Sequence, residues 1–210
     1  MSLLFAMFGA VLSGLCCFAA SRKWPQKRTV RHLFIICIVG VSLLGAVCGW
    51  MLPRYAQVWT NYIRFLVLMM ALSAATYTDM DDHRIPNACP LAILCGFVLV
   101  TVLDFVVIPD LALSVLTGGI LGGVAILLIL LLFRFLSRGG IGYGDIKLMA
   151  AMGTLIGISG TISVLLIAQI AALMAAGVLL IMKKVTVKDS LPFAPFFYLG
   201  FLGSLCLGTF

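Results

Sequence analysis

The chain has 210 residues, 63% of them hydrophobic and 10% charged, with a mean hydropathy of +1.23; so apolar a composition excludes an ordinary soluble domain and describes a polytopic membrane protein. The +7 balance comes from basic residues dispersed between apolar segments, the pattern of membrane topology rather than of a solvated patch, so nucleic acid is not expected as a partner. The seven cysteines lie in apolar runs or at their ends without a C-x-x-C pair, which points to packing residues and to neither a zinc site nor a disulfide framework; no metal and no cofactor are expected.

The fold class read from the hydropathy pattern is all-α, a polytopic membrane helical bundle of about eight transmembrane helices. The spans are drawn at 2–20, 32–52, 61–78, 88–108, 111–136, 145–158, 161–182 and 192–209, since a span needs about 20 apolar residues. The first is read as a retained span, because no basic region precedes it and no clear cleavage site follows. The sixth is short: about 14 residues at about 1.5 Å each reach only about 21 Å, so this helix should start below the membrane surface and draw Asp145 inward.

Lys and Arg set the orientation, because cytoplasmic loops carry their excess. With the N-terminus outside, every basic residue but Arg54 and Arg64 falls on the inner side. Both termini then face out, and the acidic clusters around Asp79 and Asp145 face the cytoplasm. The expected location is the cell inner (plasma) membrane, with the lipid bilayer as a partner. Short connections at Pro109-Asp110 and Gly157–Gly160 imply tight antiparallel neighbours. In the fifth span, Gly118, Gly119, Gly122 and Gly123 admit close approach of another helix, either an internal neighbour or a second copy in a homo-oligomer.

All seven acidic residues are Asp, and two short stretches hold most of them. One is Thr78-Asp79-Met80-Asp81-Asp82-His83-Arg84-Ile85-Pro86-Asn87, where an apolar run ends. The other is Gly139-Gly140-Ile141-Gly142-Tyr143-Gly144-Asp145-Ile146-Lys147, between two apolar segments. An ionisable group at membrane depth is expensive and marks a functional site by default. Asp79 and Asp145 are read as one catalytic pair: two carboxylates that share a proton can divide the work of base and acid, one activating water and the other protonating a leaving amine. Which aspartate takes which role stays open.

Gly142 and Gly144 are expected to supply unusual backbone conformations and room for an extended substrate beside Asp145. Asp145 could also simply cap the helix that follows. Asp81 and Asp82 read either as a solvated loop or as charge that steers a basic peptide, and Asp81 is the reserve for the first catalytic position. Lys147 should point away from Asp145 and hold the loop or serve topology. Asp104 and Asp110 are read as interfacial at the far side of the membrane, and Asp189 as a loop carboxylate beside Lys188.

These residues resemble the prepilin peptidases, membrane aspartyl proteases with a G-x-G-D signature. Gly142-Tyr143-Gly144-Asp145-Ile146-Lys147 fits G-x-G-D-x-K. Asp79, followed by Ile85-Pro86-Asn87, is similar to the element around the family's first catalytic Asp. Pro192-Phe193-Ala194-Pro195-Phe196 resembles its closing P-F-x-P segment. The resemblance implies one integral-membrane peptidase domain over 1–210, with two N-terminal spans and a catalytic core at 61–210. It implies Asp79 and Asp145 as catalytic residues, with Gly142, Gly144, Asp81, Lys147, Pro86 and Asn87 as substrate-binding or loop-supporting ones.

The implied substrate is a type IV prepilin or pseudopilin precursor, cut after its short basic leader at the cytoplasmic face. Longer relatives carry a cysteine-rich insert after the first span, associated with N-methylation. The loop Ser21 to Arg31 has no Cys, which puts methylation by this chain in doubt. The competing readings are a transporter or proton channel built on intramembrane Asp residues, and a metal-dependent lipid enzyme using Asp79, Asp81, Asp82 and His83.

Overall fold

The computed structural model describes residues 59–183 and 191–208, with isolated positions 7, 10, 11, 14, 15, 45, 46 and 50 before them. The side chains of Trp59, Asp81 and Asp82 are not among what is described. Within these bounds the chain is all helix: α1 Trp59–Asp82, α2 Ala88–Val107, α3 Pro109–Leu136, α4 Tyr143–Ile181 and α5 Ala194–Leu207. The first four are long and apolar enough to cross a membrane, and α5 is a shorter apolar helix of 14 residues. The expected spans at 2–20 and 32–52 lie outside the described residues.

Two boundaries differ from the expectation for physical reasons. Helix α1 continues past residue 78 through Asp82, with the His83 N–H donating to the Asp79 carbonyl at 3.0 Å, and it ends where His83 takes a left-handed conformation, φ 51°. Asp79 therefore stands inside the last turns of a helix, and Asp81 and Asp82 are helical rather than part of a loop. Pro109 and Asp110 do not form a connection either. They open α3, since proline has a preset helical φ and no N–H to satisfy, and an acid in the first turn suits the positive helix end. The connection shrinks to Ile108.

Helix α4 carries 39 residues, about 58 Å if straight and about twice a membrane core. It is broken at Gly157, whose φ of 72° and ψ of −178° interrupt the helix. Only glycine takes that conformation readily. Ile126 and Phe133 of α3 line one cavity together with Asp145, Met149, Ile162 and Gln169 of α4. Residues 145 and 169 can share that wall only because the chain turns back at Gly157, so 143–156 and 158–181 are antiparallel neighbours. The sixth and seventh expected spans are these two segments. Residues 170–181 continue about 18 Å past the level of Asp145 as apolar helix, which leaves Asp145 recessed below the end of its neighbour.

The glycines of α3 are used inside the chain. An added Cβ at Gly122 would sit 2.5 Å from the Gly153 carbonyl, at Gly123 2.5 Å from the Thr154 methyl, and at Gly119 2.6 Å from both the Thr154 carbonyl and the Phe97 ring. Hydrocarbon offers no hydrophobic drive between helices, so close backbone approach of this kind is what packs them. The internal reading of these glycines holds for three of the four, and that helix face is not free to receive a second copy. The buried core runs between α1, α4 and α5 through Leu68, Leu72, Leu148, Met152, Tyr198 and Phe201.

Asp104 is not exposed at its helix end. It is fully buried and ion-paired with Arg64, itself buried near the start of α1, so the pair joins the far ends of α1 and α2. Neighbouring antiparallel helices bring the two to the same level. Asp110 is exposed in the first turn of α3, and Asp189 lies outside the described residues.

Candidate active site

Asp79 reaches the site from the last turns of α1, and Asp145 from the first turn of α4. Asp79 is buried, Asp145 half-buried, and the two carboxylates lie within electrostatic reach of each other. Asp79 is held from a third direction. The Ala194 N–H at the start of α5 donates to Asp79 Oδ2 at 2.8 Å, and the Phe193 N–H is a second backbone donor beside it. The Pro192-Phe193-Ala194-Pro195 turn thus puts the free N–H groups of a helix start against a carboxylate. The sequence signalled this segment only by resemblance.

Asp145 accepts from the Gly142 N–H. Gly142 is the N-cap of α4 and Asp145 stands at the third helical position, so the carboxylate makes one half of a capping box. The cap reading and the pairing reading are both realised by one side chain, which has another oxygen to offer.

The glycines work through space rather than conformation. Gly142 has an ordinary extended backbone, φ −67° and ψ 140°, and Gly144 is helical. A Cβ at Gly142 would stand 2.8 Å from Asp145 Oδ2, and one at Gly144 3.1 Å from the Ile85 side chain. The expected need for unusual dihedrals is corrected accordingly. It applies instead at Gly139, φ 93°, where the loop leaves α3.

Lys147 points away from Asp145, as its spacing requires, and donates to Asn87 Oδ1 at 3.1 Å. It ties the first turn of α4 to the turn after α1, where the Pro86 carbonyl accepts from the Cys89 N–H at 3.0 Å to start α2. Asn87 and Lys147 thus join each other across the site, and Pro86 takes part through its backbone carbonyl. Asp81 belongs to α1, and its side chain is not described.

One supporting residue was missed from sequence. Arg134 donates to the carbonyls of Gly139 and Ile141 and lies over the Tyr143 ring, 3.7 Å from its centroid, so it folds the glycine loop back onto α3. A cation in the last turn of a helix has an ordinary electrostatic and topological reading, which hid this one.

Beside Asp145 opens a cavity of about 680 Å³, walled by α3, both halves of α4, the glycine loop and the Phe193 and Phe197 rings. Two aspartates within electrostatic reach of each other from separate helices, one of them lining an apolar cavity, describe a membrane protein with a candidate paired-carboxylate site.

Comparison with known proteins gives the family. The type IV leader peptidase profile matches residues 66–177, from α1 into the second half of α4, and the chain belongs to that family. It is 34% identical over 144 residues to the prepilin leader peptidase/N-methyltransferase of Burkholderia pseudomallei, covering 68% of this chain and 45% of the relative. To the protein of the same description from Aeromonas hydrophila it is 32% identical over 145 residues, covering 68% and 48%. For Aeromonas salmonicida the identity is 28% over 194 residues, covering 91% and 60%. The chain thus spans about half the length of the curated relatives it matches. Their names join the peptidase to an N-methyltransferase, so the comparisons lend no support to the expected absence of methylation. No solved structure matches the chain.

Proposed function

We propose that this protein is a membrane aspartyl endopeptidase that removes the basic leader from type IV prepilin-like precursors, with Asp79 and Asp145 as its catalytic pair. The observation that carries the reading is the approach of these two carboxylates, from helices far apart in sequence, with a cavity of about 680 Å³ beside Asp145. The ionised aspartate takes a proton from water as its oxygen attacks the scissile carbonyl. The protonated one hydrogen-bonds that carbonyl oxygen, and a proton is then delivered to the departing amine, so the pair ends with the one shared proton it began with.

In this reading the enzyme lies in the cell inner membrane with about eight spans and both termini outside. The site faces the cytoplasm, where the loops hold most of the Lys and Arg. Asp81 and Asp82 add negative charge near the arriving leader.

Incubating the purified chain with a candidate prepilin should give a product lighter by the mass of the leader. EDTA should leave the rate unchanged, because the carboxylates act on water directly. An uncut precursor across a panel of type IV prepilins, or cleavage lost with EDTA and restored by a divalent metal, would overturn the reading.

A further inference from the structure

The cavity beside Asp145 carries one polar side chain that the paired-carboxylate chemistry leaves without a role. Apart from Asp145, its wall is built of Ile, Leu, Met, Phe and Gly, with the single exception of Gln169 in the second half of α4. Gln169 is an exposed residue, and its amide makes no side-chain hydrogen bond to any described residue. Around it the segment 158–181 is otherwise mostly Ile, Leu, Val, Ala, Met and Gly, any of which would line an apolar wall without an unpartnered amide.

A cleavable peptide brings the complementary need. It must lie extended, and its N–H and C=O groups meet few polar partners along a wall made mostly of apolar side chains. A carboxamide presents a donor and an acceptor side by side, the match for a peptide unit's own pair. Gln169 is level with Asp145 across the cavity, because the chain turns back at Gly157 midway between them.

Resting on the peptidase reading, we propose that Gln169 is a substrate-positioning residue whose carboxamide pairs with the backbone N–H and C=O of the precursor next to the scissile bond. It holds that stretch extended against the aspartates. Because it reads backbone, it acts on precursors whatever their side chains at that position.

The test measures KM and kcat for wild type, Gln169→Leu and Gln169→Glu. The substrates are a prepilin precursor and versions of it carrying one ester in place of each peptide unit flanking the cut. Gln169→Leu should raise KM about tenfold, the loss of one to two hydrogen bonds, with kcat within about threefold. At least one ester should weaken wild-type binding several-fold and have no further effect on Gln169→Leu. Gln169→Glu, which keeps the acceptor and loses the donor, should fall between, and it carries the test if Gln169→Leu is not recovered folded.

A KM within twofold of wild type in the folded variants would overturn the proposal, as would esters that weaken every variant equally. Lowered thermal stability with unchanged KM would assign Gln169 to the fold and also overturn it. Each of these leaves the peptidase reading standing as long as Asp145→Asn is inactive. Cleavage by Asp145→Asn overturns that reading instead.

Discussion

The carboxylates stand out in the sequence because charge is scarce there: an Asp that ends or begins an apolar run has few structural reasons to exist. Their supports are harder to see. Lys147 and Arg134 both satisfy the rule that basic residues gather on one side, and a residue with one sufficient explanation does not advertise a second. The structure supplies it, in the Lys147 bond to Asn87 and the Arg134 clasp on the glycine loop. If Lys147 acts by tying α4 to the turn after α1, Lys147→Met should lower kcat/KM about three- to tenfold, the worth of one solvent-exposed hydrogen bond. Asn87→Ala should then add little on top of it, because the two residues share one contact. Additive losses in a kinetic double-mutant cycle would separate them. Of the two reasons read for the glycines beside Asp145, unusual dihedrals are absent at Gly142 and Gly144 while close contacts are present, since spacing in a sequence does not distinguish a strained dihedral from a lack of room.

Helices were legible wherever the apolar pattern was long, so α2 and α3 fall within a few residues of their expected bounds. The turn at Gly157 was also readable, because an apolar run of that length cannot be one span. Which helix faces pair was not, since almost every position in this chain is apolar and periodicity loses its contrast. The glycine face of α3 shows the cost of that ambiguity. With Gly122 set against the Gly153 carbonyl, Gly122→Val should destabilise the bundle by about 1–3 kcal/mol, read as a lowered Tm in detergent. An unchanged Tm would place that face outside the core. At the other end of the bundle, Arg64 and Asp104 are buried against each other. Asp104→Ala alone should cost about 3–5 kcal/mol, because it strands a buried cation, whereas Arg64→Met combined with Asp104→Leu should recover most of the loss. Thermal unfolding of the single and double variants checks this, and a double variant no better than the single would show that the charges themselves hold α1 to α2.

At the scale of the whole molecule, the described helices bring two acids within electrostatic reach of each other. Helix α1 delivers Asp79, the turn at Gly157 folds α4 back so that its second half walls the cavity beside Asp145, and the start of α5 braces Asp79 through the Ala194 N–H. Sequence alone suggested that the two acids share one membrane side. It could not supply the bracing, because a backbone donor has no residue signature. The most direct test of the pair is cleavage of a prepilin precursor by Asp79→Asn and by Asp145→Asn, each inserted and folded as the wild type. Both should fall by at least about 100-fold, since each isostere keeps the shape and loses the proton exchange. Full cleavage by either variant, or loss with Asp81→Asn while Asp79→Asn stays active, would contradict the account.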